Sequence, residues 1–266
     1  MKASTTAPAD SISAAIEAAV RQGRPALVGF LTAGFPTRRE FKNNLAAVAG
    51  VCDVVEIGVP FSDPMADGTT IQRASFAALA EGVTLPWILE ELGSLEPRPA
   101  PPILLMSYLN PLLSVGLDAL PRAAAAAGVA GFIVPDLPFE ESGDLKSALE
   151  HEGLALVQMV TPVTPPGRLA MLCREAKGFV YAVTMTGTTG TQKGVSAEVS
   201  PEVLEYMDRV KSCANVPVCA GFGIRSREQV ARFAGHVDGV VVGSALVEVL
   251  ERGEDVRAFL RSLRPA

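Results

Sequence analysis

Residues 54–72, VVEIGVPFSDPMADGTTIQ, decide the expected fold, because they join a short apolar strand to a polar loop and then to the start of a helix. The strand carries one carboxylate, Glu56, among apolar neighbours. A buried carboxylate is costly unless it is paired or used. The loop that follows adds two acids, Asp63 and Asp67. In barrels of alternating strands and helices, the loops after the strands carry the chemistry.

The same succession of strand, loop and helix repeats along the 266 residues. Eight short runs are almost entirely apolar, as expected of parallel strands that are covered on both faces. These runs begin at Ala26, Val54, Pro102, Gly131, Leu154, Phe179, Val216 and Gly239. Helical patterns lie between them, and several open at Ser or Thr and close at Gly. The pattern predicts an α/β protein with a (β/α)8 TIM barrel, in a single domain covering residues 1–266.

Two helices are expected outside the repeat. Residues 11–22 predict an extra N-terminal helix, and residues 251–263 predict a terminal helix. We expect residues 1–10 to form a disordered tail. The alternative fold, a doubly wound open sheet, would need a glycine fingerprint after the first strand, whereas residues 33–36 read AGFP.

Composition excludes several classes of function. The chain has 23 Lys and Arg against 29 Asp and Glu, a net charge of −6, which argues against a nucleic-acid partner. Its apolar runs are far shorter than a membrane span. The four cysteines form no CxxC pair, and with two histidines they predict no metal site. Reduced thiols without a secretory leader indicate the cytoplasm.

Strand alternation determines where Glu56 points. Successive side chains face opposite sides of a strand, so Val54, Glu56 and Gly58 are expected to face the barrel axis. Gly58 should leave open space above the carboxyl group. Burial should raise the pKa of Glu56, which suits a general acid or base. The alternative is a core glutamate in an ion pair, although no Lys or Arg is placed inward on a neighbouring strand.

The other polar candidates each carry a structural alternative. Asp63 and Asp67 could be solvated loop acids or caps for the helix that starts near Thr69. Tyr181, inside the sixth strand, could be an ordinary core tyrosine whose hydroxyl needs a partner. The segment 185–194, MTGTTGTQKG, indicates either a lid or a plain surface loop.

Glycines at the ends of the last two strands predict a phosphate site. Gly221 and Gly223 follow the seventh strand just before a helix that opens at Ser226, and Gly243 with Ser244 follows the eighth. Glycines expose backbone N–H groups, and a helix N-terminus adds a favourable dipole. Phosphate commonly binds at these two loops of such barrels.

The stretch VEIGVPFSDPMADG resembles the signature of the tryptophan synthase α subunit family, and the resemblance extends over essentially the whole chain. It includes GFLTAGFP near Phe30, LMSYLNPLL near Asn110, FIVPDLPFEE near Asp136, YAVTMTGTTG near Tyr181, CAGFGIRSREQV near Gly223 and VVVGSAL near Ser244. The resemblance implies a lyase that cleaves indole-3-glycerol phosphate to indole and glyceraldehyde 3-phosphate by a retro-aldol reaction.

Roles for individual residues follow from the same resemblance. Glu56 matches the glutamate that moves protons at the glycerol hydroxyls, and Asp67 matches the aspartate that engages the indole N–H. The implied substrate-binding positions are Phe30, Tyr181, Thr189, Gly190, Gly223, Gly243 and Ser244, with Thr189 as the lid threonine. The implied partner-facing positions are Asp63, Tyr108, Asn110 and Asp136.

The resemblance also implies a β subunit that receives indole and holds pyridoxal phosphate, in an α2β2 assembly, whereas this chain needs no cofactor or metal. One departure is Met185, where many members carry a basic residue, and it bears on coupling between subunits. A stand-alone indole-3-glycerol phosphate lyase would keep the same residues. A silent binding subunit would not need them, and a sugar-phosphate isomerase would need an acid/base pair at other strand ends.

Overall fold

Eight parallel strands close into a barrel in which each strand pairs with the next along the chain and the last pairs with the first. The computed structural model describes residues 7–184, 199–221 and 223–264. The strands are β1 Ala26–Thr32, β2 Val54–Gly58, β3 Ile103–Met106, β4 Val129–Ile133, β5 Ala155–Val160, β6 Val180–Val183, β7 Val218–Gly221 and β8 Gly239–Val242. The predicted TIM barrel is therefore confirmed.

Helices surround the barrel and connect its strands. Those of the described residues are α1 Pro8–Arg21, α2 Phe41–Ala49, α3 Thr69–Ala80, α4 Leu85–Gly93, α5 Leu109–Val115, α6 Leu120–Ala126, α7 Gly143–His151, α8 Pro166–Glu175, α9 Pro201–Cys213, α10 Arg227–Phe233, α11 Ser244–Glu251 and α12 Val256–Leu263. The connections from β2 to β3 and from β3 to β4 each contain two helices.

The N-terminal helix α1 closes the barrel from the end opposite the site. Its fully buried Ile12 and Ile16 belong to the same apolar cluster as Val28 and Val54 on the inner wall. The helix begins at Pro8, not at Ser11 as predicted, so residues 8–10 belong to the helix and not to a tail. Proline suits the first turn because its fixed φ is helical and it lacks only an N–H that would be unpaired there.

The C-terminal prediction needs a similar correction, because α11 ends at Glu251 and α12 starts only at Val256. Gly253 has a φ of 65°, a left-handed conformation that interrupts the helix. The Asp255 carboxylate then accepts hydrogen bonds from the N–H groups of Arg257 and Ala258 and caps α12.

Two apolar layers confirm the predicted alternation along β2. Val55 and Ile57 belong to the layer between strands and helices, whereas Val54 belongs to the barrel interior. Glu56, between them, lies beside Phe30 of β1 and Leu104 of β3 in the parallel register. The carboxyl group therefore enters the barrel.

Two glycines make room for aromatic rings at the open end of the barrel. A Cβ atom added to Gly58 would lie 2.6 Å from the Phe30 ring, and one added to Gly221 would lie 2.2 Å from the Tyr181 ring. The space above Gly58, expected to be open, is therefore filled by Phe30. Only glycine, which has no Cβ atom, permits the two rings to take these positions.

We predict that Gly221→Ala destabilises the protein by about 1–3 kcal/mol, because the added methyl group forces the buried Tyr181 ring to move. Urea unfolding measures the change. The matched control is Gly167→Ala in α8, where no atom lies within 4 Å of the added Cβ and no loss of stability is expected. Equal unfolding midpoints for the two variants would contradict this packing.

Candidate active site

Glu56 is a buried acid that forms no ion pair with any residue the structure describes. Glu56 is 1 % exposed to solvent, and its Oε2 atom has no hydrogen-bond partner among the described residues. Burial, and to a lesser degree the nearby Asp67 charge, raises the pKa of Glu56 to about 8. Glu56 is therefore not in an ion pair within the described part of the chain, contrary to the alternative interpretation. Near neutral pH its side chain is a carboxylic acid that can donate a proton.

Asp67 lies in the loop between β2 and α3 and is half-buried. Burial raises the pKa of Asp67 to about 6, while a hydrogen bond from Tyr108 opposes that increase. The capping alternative does not apply, because Gly68 occupies the position before α3 and no side chain caps the helix. Two neighbouring carboxyl groups with separated pKa values are the arrangement that acid/base catalysis requires.

Hydrogen bonds from two other segments hold the loop that carries Asp67. The Gln72 side-chain amide donates to the Asp67 carbonyl oxygen at 2.9 Å, and the Ala66 N–H donates to the Tyr108 hydroxyl at 2.8 Å. The Tyr108 ring also stacks on Phe61, with 5.2 Å between ring centroids. The Asp67 loop is thus fixed to α3 and to the loop after β3.

Aromatic side chains line the same mouth. Phe30 and Tyr181 are both buried, one beside Gly58 and the other beside Gly221. Burial first, and then the charges of Glu56, Cys219 and Asp67, raise the pKa of Tyr181 well above its ordinary value. Its phenol is therefore neutral and lies within the electrostatic reach of both acids.

The loops after β7 and β8, which carry Gly223 and Gly243, differ in whether a side chain caps the helix that follows. The first turn of α10 is capped by Ser226 and Gln229, which form a reciprocal capping box. No side chain among the described residues caps α11, which begins directly after Gly243. Gly223 has a φ of 80°, which favours glycine, and a Cβ on Gly243 would lie 3.9 Å from Phe30. The start of α11, whose N–H groups no described side chain caps, therefore adjoins Phe30.

The sequence interpretation missed an ion pair behind the glycine loops. Arg225 donates to both carboxylate oxygens of Glu248 at 2.8 Å each, and Thr70 of α3 lies 3.5 Å from the same carboxylate. The pair connects the loop after β7, α11 and the helix that follows Asp67. A separation of 23 residues between Arg225 and Glu248 left no local signal for it.

The four expected partner-facing residues do not behave alike. Asp63, Asn110 and Asp136 are exposed, whereas Tyr108 is buried and contacts the Asp67 loop. That Tyr108 faces a partner stays a prediction, and within this chain its hydroxyl and ring contact Ala66 and Phe61 of the Asp67 loop. Its phenol belongs to the interior of the site because both its ring and its hydroxyl have partners there.

Three residues singled out in the sequence, Met185, Thr189 and Gly190, lie outside the described residues. Within the described ranges, no group of three or more His, Cys, Asp or Glu side chains could hold a metal ion. No helix in those ranges is long and apolar enough to cross a membrane.

Comparisons with known proteins agree with this geometry. The sequence profile of the family described as "Tryptophan synthase alpha chain" matches residues 16–263. The tryptophan synthase alpha chain of Solidesulfovibrio magneticus is 45% identical over 247 residues, covering 92% of this chain and 95% of the relative. That of Geobacter sulfurreducens is 45% identical over 251 residues, covering 91% of this chain and 93% of the relative.

Solved structures give the same result. The aminoacrylate-bound tryptophan synthase of M. tuberculosis is similar with a TM-score of 0.84 at 35% identity, covering 95% of this chain and 97% of that one. The α2β2 tryptophan synthase of Pyrococcus furiosus is similar with a TM-score of 0.81 at 33% identity, covering 90% and 98%. With this similarity over nearly its whole length, the chain belongs to the tryptophan synthase alpha chain family, the lyases that perform the alpha reaction of tryptophan biosynthesis.

Proposed function

We propose that Glu56 and Asp67 share the proton transfers that cleave indole-3-glycerol phosphate into indole and glyceraldehyde 3-phosphate. Neutral Glu56 protonates carbon 3 of the indole while the Asp67 carboxylate takes the N–H proton, which gives the indolenine tautomer. The Glu56 carboxylate then takes the proton of the hydroxyl next to the scissile bond. The carbon that bears this hydroxyl becomes the aldehyde carbon. The electrons of the broken C–C bond return to the indole ring, and Asp67 returns its proton to the ring nitrogen.

One observation carries this proposal: Glu56 is fully buried with no partner for Oε2 among the described residues, whereas Asp67 is half-buried at the mouth. The pKa is accordingly raised to about 8 for Glu56 and to about 6 for Asp67. Between these values Glu56 is the acid and Asp67 the base, as the first step requires. Their difference arises from the Tyr108 hydrogen bond at Asp67 and the deeper burial of Glu56.

The substrate is positioned by groups around this pair. We place the indole between Phe30 and Tyr181, because both rings face the same mouth. The phosphate would bind at Gly223, Gly243 and Ser244, where α11 offers uncapped N–H groups. Thr189 and Gly190 are proposed for the lid and the phosphate site from family resemblance alone.

The partner is proposed to be a tryptophan synthase β subunit that receives indole and holds pyridoxal phosphate, while this chain binds no cofactor. Relatives with solved structures form α2β2 complexes. The exposed acids Asp63 and Asp136, with the exposed apolar Met65 and Val163, surround the mouth and would form the partner surface. The cytoplasm is the proposed compartment, consistent with four free cysteines.

We predict that Glu56→Gln and Asp67→Asn each slow lysis by roughly 10²–10⁴-fold, the usual contribution of a general acid or base. Indole release by the isolated chain, and again with added β subunit, measures the effect. The matched control is Asp63→Asn in the same loop, which should keep its activity without β subunit and lose stimulation by it. Near-normal turnover of Glu56→Gln or Asp67→Asn would refute the assigned roles.

The raised pKa of Glu56 also predicts an unusual dependence of stability on pH. The folded state keeps the proton up to about pH 8, whereas the unfolded chain releases it near 4.5. Between these values the group therefore lowers the free energy of unfolding by about 1.4 kcal/mol per pH unit.

Glu56→Gln removes this titration. The free energy of unfolding of Glu56→Gln, relative to that of the parent protein, should therefore rise from pH 5 to pH 8 and then level off. Urea unfolding at a series of pH values measures it, with Asp63→Asn as the control that follows the parent. A constant difference between Glu56→Gln and the parent across this range would show that Glu56 is ionised in the folded protein.

A further inference from the structure

We propose that Tyr108 is a positioning residue that holds the Asp67 loop in its reactive conformation, and that Asp136 in turn holds Tyr108. The inference rests on the proposed function and deepens it, because it assigns a role to two residues that the sequence placed on the partner surface. Its basis is a set of contacts that runs from the exposed Asp136 carboxylate, past Tyr108, to the backbone beside Asp67.

The first contact in this set is direct. The Tyr108 hydroxyl accepts the Ala66 N–H at 2.8 Å, which places it beside Asp67, and its effect is to lower the pKa of Asp67. Its ring stacks on Phe61 at the beginning of the same loop. One buried side chain therefore binds the loop at both ends, and its hydroxyl favours the ionised form of Asp67.

The position of Tyr108 is itself fixed by its neighbours in sequence. The Asp136 carboxylate accepts the Leu109 N–H through Oδ1 at 3.0 Å and Oδ2 at 3.3 Å. On the other side, the Ser107 hydroxyl donates to the Tyr108 carbonyl at 2.9 Å, and the Ser107 N–H donates to the Ile133 carbonyl at 3.0 Å. The backbone around Tyr108 is thus attached to β4 and to the loop that follows it.

The Asp67 loop needs such support because much of it is exposed. Ser62, Asp63, Met65 and Ala66 are all exposed to solvent. Among the described residues outside the loop, Tyr108 and Gln72 are the side chains that form hydrogen bonds to it, and Gln72 donates to backbone carbonyls. Within the described ranges, the titratable groups that face Asp67 are Glu56 from β2, Tyr108 from the loop after β3, and Tyr181 from β6.

Tyr108→Phe tests the proposal because it keeps the ring and its stacking while removing the hydroxyl. Lysis by the isolated chain is measured as kcat and KM across pH. We expect kcat to fall roughly 10–100-fold, the effect of losing a hydrogen bond to a charged group, with little change in KM. The acidic limb of the kcat profile should move to higher pH, because the Asp67 carboxylate loses its donor.

Four further variants separate positioning from general stability. In the Asp67→Asn background, Tyr108→Phe should cause little additional loss, because both changes affect the same group. Asp136→Ala should move the acidic limb in the same direction by a smaller amount, and Asp136→Asn, which retains an acceptor oxygen, should restore it. Tyr206→Phe is the matched control, because this buried hydroxyl has no hydrogen-bond partner in the described ranges and lies outside the barrel mouth.

An unchanged kcat profile for Tyr108→Phe, or an equal loss in the Asp67→Asn background, would overturn the inference while leaving the proposed function intact. A parent protein that releases no indole would instead refute the proposed function.

Discussion

The burial of one unpaired carboxyl group, Glu56, is the constraint on which the rest of the site depends. Within the described residues its Oε2 atom has no hydrogen-bond partner, and the neighbouring Asp67 adds a second acid. Such a group is tolerated as a neutral acid but not as an isolated anion. In the proposed mechanism this proton is the one that a carbon atom of the substrate receives, with Asp67 ionised beside it.

The barrel maintains this state through packing on every side. Helix α1 fills the far end with Ile12 and Ile16, so the interior wall below the acid is apolar. Gly58 and Gly221 allow Phe30 and Tyr181 to lie against the strands and narrow the open end. Water is thereby restricted around the acid, which raises its pKa and strengthens electrostatic effects on a bound substrate.

Local signals explain how much of this could be predicted from sequence. Eight apolar runs and period-two alternation gave the barrel and the inward direction of Glu56, because both depend on neighbouring residues. The helices α1 and α12 begin at Pro8 and Val256, which are not the predicted positions. Helix propensity alone does not locate a helix that starts at proline or one that is interrupted by a left-handed glycine. The hydrogen bond between Ala66 and Tyr108 and the ion pair between Arg225 and Glu248 join residues that are distant in sequence. Only the folded chain brings these residues together.

The most direct test of this account is the protonation state of Glu56 in the folded protein. Infrared difference spectra between the parent and Glu56→Gln report the carbonyl stretch of a protonated carboxylic acid. We expect this band in the parent at pH 6, absent from Glu56→Gln, and lost as the pH rises through about 8. Absence of the band at pH 6 would mean that Glu56 is already ionised, and would contradict the account.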